Sequence, residues 1–488
     1  MILRRLGVIG ALLLSGCMVG PDYNRPPAPM TPTFKEAPPE NFKSAAVWKV
    51  AEPADNMLRA KWWEIFGDPR LNELEEQVAV ANQTLKAAEA TFRQARQMVL
   101  FNRAAQFPTL SAGLTVNAVG ESSHRPFINV SRSPTADLVL PIDLSYEVDL
   151  WGSVRRSVTA AGEEAQATAA DLETARLSLQ AELAIDYFEL RAADRQKQIL
   201  DDAVKSFMAA LTLTRNRYNG GDAPGSDVTQ AETQLQTAQV QDTDITLQRA
   251  QFEHAIAVLI GKPPAAFGLP MIPLDGSAPA VPVGLPSMLL ERRPDIAAFE
   301  RRVAEANEQI GIAQAAYYPT VTLGGIAGAE GTSLATWFDW PSLFWAVGLS
   351  MTETLFDAGR RRATSEAAIA NYDAMVADYR QTTLTAFQQV EDNLAALRIL
   401  EQEVRQQRDA VASSQETLRI FNDRYAGGVD TYLPVIIEQT LVLTNQRNEA
   451  DILRRQMDAS VLLVKALGGG WHVRELPTIS SLRRGPLF

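Results

Sequence analysis

The chain is written twice, and that duplication limits its fold more than any other feature. Asn82, Leu85, Glu89, Ala95 and Pro108 match Arg293, Ile296, Glu300, Ala306 and Pro319 at one constant separation; 293 − 82 and 319 − 108 both give 211. Further on, Gly152, Arg217, Tyr218, Gly220, Gly221 and Gly261 match Gly359, Arg424, Tyr425, Gly427, Gly428 and Gly468, each pair 207 apart. The change of offset falls between Pro108 and Gly152, where a hairpin loop can absorb it. A period of about 200 residues is too long for a solenoid, so each half is a unit of several elements. The first repeat covers 61–261 and the second 289–468, with a Pro/Gly-rich linker at 262–288 and a tail at 469–488.

Each repeat reads helix, strand, strand, very long helix, turn, helix. In the first, the pattern predicts an opening helix over 71–106, a long helix over 153–218 and a return helix over 227–260. Asn219-Gly220-Gly221 and Pro224-Gly225 break the chain between the last two. At 1.5 Å per residue the long helix is ~100 Å, and the two shorter ones could stack end to end beside it. Leu200, Val204, Phe207, Leu211 and Tyr218 step by four, three, four and seven; Val404, Val411, Leu418 and Tyr425 step by sevens. That is coiled-coil spacing. A soluble bundle uses it too, but globular helices average about 11–12 residues.

Two pairs of alternating segments lie between the helices, at about 108–119 and 137–150 and at about 319–330 and 343–356. Leu110, Ala112, Leu114, Val116 and Ala118 alternate with small or polar residues, as do Leu140, Ile142, Leu144, Tyr146, Val148 and Leu150. Trp345, Val347, Leu349 and Met351 repeat the pattern, while the segment from Val321 to Ala329 is glycine-rich and weaker. Period-two alternation gives each strand one apolar face, and roughly 9–11 residues span an outer membrane. A half-buried hairpin on a soluble core would alternate in the same way. In lipid, open strand edges are not tolerated. Four strands cannot close a channel, so the barrel is expected to be shared by three copies, twelve strands in all. Asp143, Glu147 and Asp149 would then face an acidic lumen, and Trp337, Phe338 and Trp340 suit an aromatic girdle or outer loop.

At the N-terminus, Arg4 and Arg5 precede an apolar run from Leu6 to Leu14 that Ser15-Gly16-Cys17 closes, the form of a secretory signal over 1–16. The run is well short of the ~18 apolar residues of a spanning helix. Residues 17–60 are proline-rich and read as an extended strap. A net charge of −12 argues against nucleic acid. Cys17 is the only cysteine, so no intrachain disulfide forms. His124, His254 and His472 lack the close spacing of metal ligands. No phosphate-binding loop or nucleophile motif is present, so no catalysis is expected.

Leu14-Ser15-Gly16-Cys17 resembles the bacterial lipobox, which implies cleavage before Cys17 and a covalent lipid on it, the only cofactor-like group expected. Met18 in place of an aspartate favours the outer membrane. Several further motifs follow in order. They are Gly20-Pro21-Asp22-Tyr23, Phe107-Pro108-Thr109 with Tyr318-Pro319-Thr320, Tyr146-Glu147-Val148-Asp149-Leu150-Trp151-Gly152, Arg292-Arg293-Pro294-Asp295-Ile296, Leu355-Phe356-Asp357-Ala358-Gly359 and two Arg-Tyr-x-Gly-Gly turns. In this order they resemble the outer-membrane factor family typified by TolC and OprM, and most closely its NodT-type efflux lipoprotein branch.

The resemblance covers the mature chain. It implies an α+β membrane protein, a homotrimer with a shared twelve-stranded β-barrel continuous with a long coiled-coil helical barrel. It implies an outer-membrane channel in a tripartite efflux system, served by a periplasmic adaptor and an inner-membrane pump of the resistance-nodulation-division class. It also implies a gate at the inner helix tips: Asp227, Tyr425 and Asp430, with Arg217 and Arg424 nearby. Both aspartates could instead be helix N-caps. Rival readings are an exit duct for type I protein secretion, a periplasmic coiled-coil adaptor or scaffold lipoprotein, and a cell-wall enzyme.

Overall fold

A computed structural model describes residues 18–36, 61–120, 135–276, 278–281 and 288–484. The signal, Cys17, the strap beyond residue 36 and His124 lie outside the described residues. The first repeat holds α1 (Pro69–Ala81), α2 (Gln83–Ala104), β1 (Thr109–Ala112), β2 (Thr115–Val119), β3 (Thr135–Glu147), α3 (Ser153–Gly220) and α4 (Gly225–Leu259). The second holds α5 (Leu289–Arg292), α6 (Pro294–Ala315), β4 (Thr320–Gly331), β5 (Leu343–Thr352), α7 (Arg360–Ala426) and α8 (Leu433–Ala466). Both α2 and α6 have 22 residues, while α3 and α7 have 68 and 67.

The opening helix is not continuous. It breaks at Asn82, whose backbone is extended, with φ −62° and ψ 126°. The side chain explains the break. Its oxygen accepts from Leu85 N–H at 3.0 Å and caps α2, while its amide donates to the carbonyl of Leu259, the last residue of α4, at 2.8 Å. The start of α2 therefore abuts the end of α4. Arg293 makes the equivalent joint, donating to the carbonyl of Ala466 at the end of α8 at 2.9 Å. Glycine is required at both joints. A Cβ on Gly261 would stand 2.5 Å from the Ala81 carbonyl oxygen, and one on Gly468 2.0 Å from that of Arg292; their φ values are 70° and 92°.

The strands form one antiparallel sheet in the order β1, β3, β4, β5, with β2 also paired to β3. One strand was expected over 108–119, yet two short ones occur. Ala112 faces Ile142 and Thr115 faces Val139, so the register is unbroken. The ladder lapses at Pro141, which has no N–H to donate; Gly113 N–H still donates to its carbonyl at 3.1 Å. The glycine-rich third segment is no weak strand: β4 runs twelve residues in the sheet interior. At Gly328 a Cβ would stand 2.3 Å from the Leu140 carbonyl, so only glycine lets β3 and β4 close there.

Directly opposed residues share a face. Ile142, Ala327 and Trp345 line up across three strands, as do Tyr146, Leu323 and Leu349. This face is apolar, and Trp345, Val347, Leu349 and Met351 are all exposed on it. The other face carries Asp137, Asp143, Glu147 and Glu330. Asp149 does not join them. The strand ends at Glu147, and Asp149 accepts from Val154 N–H and Arg155 N–H at 3.1 and 2.9 Å and pairs with the Arg155 guanidinium. Trp337, expected in a girdle or an outer loop, lies in the β4–β5 loop and is buried against Leu138 and Ala329.

Each strand continues into a helix: α2 leads to β1, β3 to α3, α6 to β4 and β5 to α7. The helices pack in the same order, α2 and α4 against α3, α3 against α6 and α8, and those against α7. The chain is thus a wall four strands and four pillars wide. Its midsection buries Trp62, Leu71, Tyr187, Tyr379 and Val390. A second core nearer the tips holds Leu200, Phe207, Leu235, Tyr425, Tyr432 and Val435. Among the described residues no helix is long and apolar enough to cross a membrane.

The strap from Met18 to Glu36 has no helix or strand. Arg156, 1% exposed at its side chain, pairs with Glu308 at 2.8 Å and donates to the Val19 and Pro21 carbonyls. Lower down, Tyr23 donates to Glu300 at 2.5 Å, and the Lys35 and Glu36 amides donate to Glu391. The strap runs from the start of α3 along α6 to α7.

Candidate functional site

The α3–α4 and α7–α8 turns form the tips of the wall, and here the duplication fails. By the offset of 207, Tyr218 matches Tyr425 and Gly225 matches Tyr432. Heptad spacing gave both Tyr218 and Tyr425 core positions. Tyr425 is buried, but Tyr218 is half exposed. Tyr425 packs against Tyr432 with ring centroids 5.1 Å apart and planes tilted by 49°, whereas the Tyr218 ring lies beside Gly225. The Tyr425 hydroxyl donates to Thr214 Oγ1 at 3.4 Å and that of Tyr432 to Gln439 Oε1 at 3.4 Å. Burial, with Tyr425 and Asp227 adding their fields, pushes the Tyr432 hydroxyl up to about 12.

The two arginines also part ways. Arg217, at the end of α3, lies 4.5 Å over the Tyr425 ring and donates to the Tyr425 carbonyl, tying one tip to the other. Arg424 stays within its own turn, gripping Asp430 with two bonds of 2.5 and 3.2 Å. That bidentate grip holds the Asp430 carboxyl below its ordinary range. Asp227 lies buried in the first turn of α4, where a negative charge suits the helix dipole. The structure brings it to no arginine among the described residues.

Neither aspartate is an N-cap. The cap positions are Pro224 for α4 and Tyr432 for α8. Higher up, Gln234 donates to Thr440 at 3.0 Å and Arg447 to Gln241 at 3.1 Å, joining α4 to α8. Sequence reasoning missed Tyr432, Thr214 and these polar ties. Tyr432 was legible as a break in the duplication, a large aromatic where the other repeat has glycine.

A strand pair and a helical hairpin, given twice and set side by side, define a subunit of a barrel-and-tube channel. A family model described as outer membrane efflux protein matches residues 74–262 and 285–469. The chain is 32% identical over 473 residues to the probable efflux pump outer membrane protein SepC of Pseudomonas putida, covering 96% of each. It is 31% identical over 468 residues to outer membrane protein OprJ of Pseudomonas aeruginosa, covering 94% of each. The solved outer-membrane channel OprN superposes with a TM-score of 0.85 at 27% identity, over 93% of this chain and 100% of that one. VceC of Vibrio cholerae gives 0.79 at 28%, over 84% and 99%. The chain belongs to the outer membrane efflux protein family.

Proposed function

We propose that the chain is the outer-membrane channel of a tripartite efflux system, conducting passively what an inner-membrane pump and a periplasmic adaptor deliver. The wall with two open edges carries this reading. Among the described residues β5 has no partner on its outer side, and α7 buries 11 of its 67 residues where α3 buries 28 of 68. Open edges of this kind are satisfied by further copies of the same wall, and three close a twelve-stranded barrel. The apolar sheet face separates this reading from a periplasmic scaffold, which needs no lipid-facing strands. Relatives named as efflux pump outer membrane proteins support efflux, with no catalytic step. In this reading the pump is of the resistance-nodulation-division class, and the chain sits in the NodT-type lipoprotein branch with acyl chains on Cys17.

The gate is Asp227, Tyr425, Asp430, Arg217 and Arg424, with Tyr432 added. Two measurements test the whole. The detergent-solubilised particle should have the mass of a trimer; a stable monomer or dimer overturns barrel closure. Labelled palmitate should enter the natural protein and not Cys17→Ala; equal labelling overturns the anchor.

A further inference from the structure

The loop between β4 and β5 folds back onto the apolar face of the sheet. Trp337 packs on Leu138 and Ala329, and its indole N–H donates to the Ala329 carbonyl at 3.1 Å. Two tight turns close the loop: Asp339 N–H donates to Thr336, and Ser342 N–H to Asp339. The Ser342 hydroxyl donates to the Thr336 carbonyl at 2.9 Å. Held this way, Phe338 and Trp340 stand 71% and 86% exposed at the end of the sheet away from the helices. An apolar groove of about 610 Å³ lies between them and the strands, lined by Leu140, Ile142, Ala327, Ala329, Leu343 and Trp345 among others. The register makes the trough. Ala327 falls directly between Ile142 and Trp345, a small residue between two large ones. No Lys or Arg occurs from Gly331 to Thr352, and Asp339 is the only charged residue there.

We propose that this groove holds one acyl chain of an outer-leaflet lipid, taken by its hydrocarbon and not by its headgroup. The proposal rests on the reading of the sheet as a membrane barrel wall, in which the β4–β5 loop faces the exterior. Aromatic side chains gather at headgroup level, so Phe338 and Trp340 mark the outer interface and the groove opens just beneath it. Its walls are preformed by the loop's own bonds, so a chain enters without ordering the protein. The β4–β5 loop and strand β5 that wall the groove bring no Lys or Arg to hold a phosphate.

Native mass spectrometry of the purified particle tests this. The probes are phosphatidylethanolamine and phosphatidylglycerol with the same long saturated chains, and a short-chain phosphatidylcholine. The natural protein should retain lipid saturably, one per chain, equally for both long-chain headgroups and far less for the short-chain lipid. Ala327→Trp, which fills the trough from an exposed position, should abolish retention. Trp340→Ser leaves the strands untouched and should weaken retention about tenfold. Lipid counts unchanged in both variants, or retention that follows the headgroup, overturn the groove. The same spectrum reads the assembly: a trimer without retained lipid refutes the groove alone, whereas the absence of a trimer refutes the barrel reading beneath it.

Discussion

Arg217 reaches from the end of α3 to the carbonyl of Tyr425 at the end of α7, so one side chain of the first repeat holds the tip of the second. The same arginine covers the Tyr425 ring. Its counterpart Arg424 makes no such crossing and spends its donors on Asp430. The arginine tie between the tips is therefore one-sided.

Loss of that tie should open the tip. Arg217→Ala is expected to raise single-channel conductance in a planar bilayer several-fold. Asp227→Asn with Asp430→Asn should act in the same direction. Neither residue is an N-cap, so capping does not confuse the result. Conductance equal to that of the natural channel in both variants would remove these residues from the gate.

Making the second tip resemble the first gives an independent test. Tyr432→Gly restores the duplication and deletes the ring against Tyr425. Removing a buried aromatic typically destabilises by about 3–5 kcal/mol, here confined to the tip. Faster hydrogen exchange over the α7–α8 turn, with unchanged exchange in the strands, is the expected outcome. Tyr432→Phe should behave as the natural protein does.

A pH response is expected where α3 meets α8. Glu182, Asp186 and Glu189 lie near one another on α3, and Glu189 shares Arg454 with Asp451 and Asp458 of α8. Burial, then Glu182 and Glu189, raises Asp186 to about 6. Burial, then Glu189, raises Asp458 to about 7. Both carboxyls hold protons more tightly folded than unfolded. Their contribution is present below the unfolded value of about 3.9 and is lost as pH rises through the folded values. The melting temperature should fall by a few degrees between pH 5 and pH 8, and Asp458→Asn should flatten that slope. A melting temperature that rises over this range would reverse the assignment.

The sheet face opposite the apolar one, the lumen face of the proposed channel, carries Asp137, Asp143, Glu147 and Glu330, and no strand bears a basic residue. Cations should therefore pass in preference to anions. In a salt gradient the reversal potential should lie on the cation side, and Asp143→Asn with Glu147→Gln should move it at least halfway to zero.

Features set by short-range pattern were legible in the sequence. Alternation placed Leu140 through Tyr146 on one face, and constant offsets paired α2 with α6 and α3 with α7. Features set by distant partners were not. Asn82 breaks a helix because the carbonyl of Leu259 waits for its amide, 177 residues away in the chain. Asp149 looked like a lumen acid because alternation continues past Glu147, but Arg155 claims it. The strap was readable as extended, yet nothing local marked Arg156 and Glu308 as the buried pair beneath it.

The joints at Asn82–Leu259 and Arg293–Ala466 divide the four pillars into two kinds. α3 and α7 are single rods, while α2 over α4 and α6 over α8 are rods cut and pinned at mid-height by a few hydrogen bonds. Around a closed ring the two kinds alternate. A twist applied at the tips bends the pinned staves at their cuts, while the uncut ones carry the load. Whatever part of a tip movement reaches the barrel above therefore travels through α3 and α7, the two pillars that run unbroken from one end to the other.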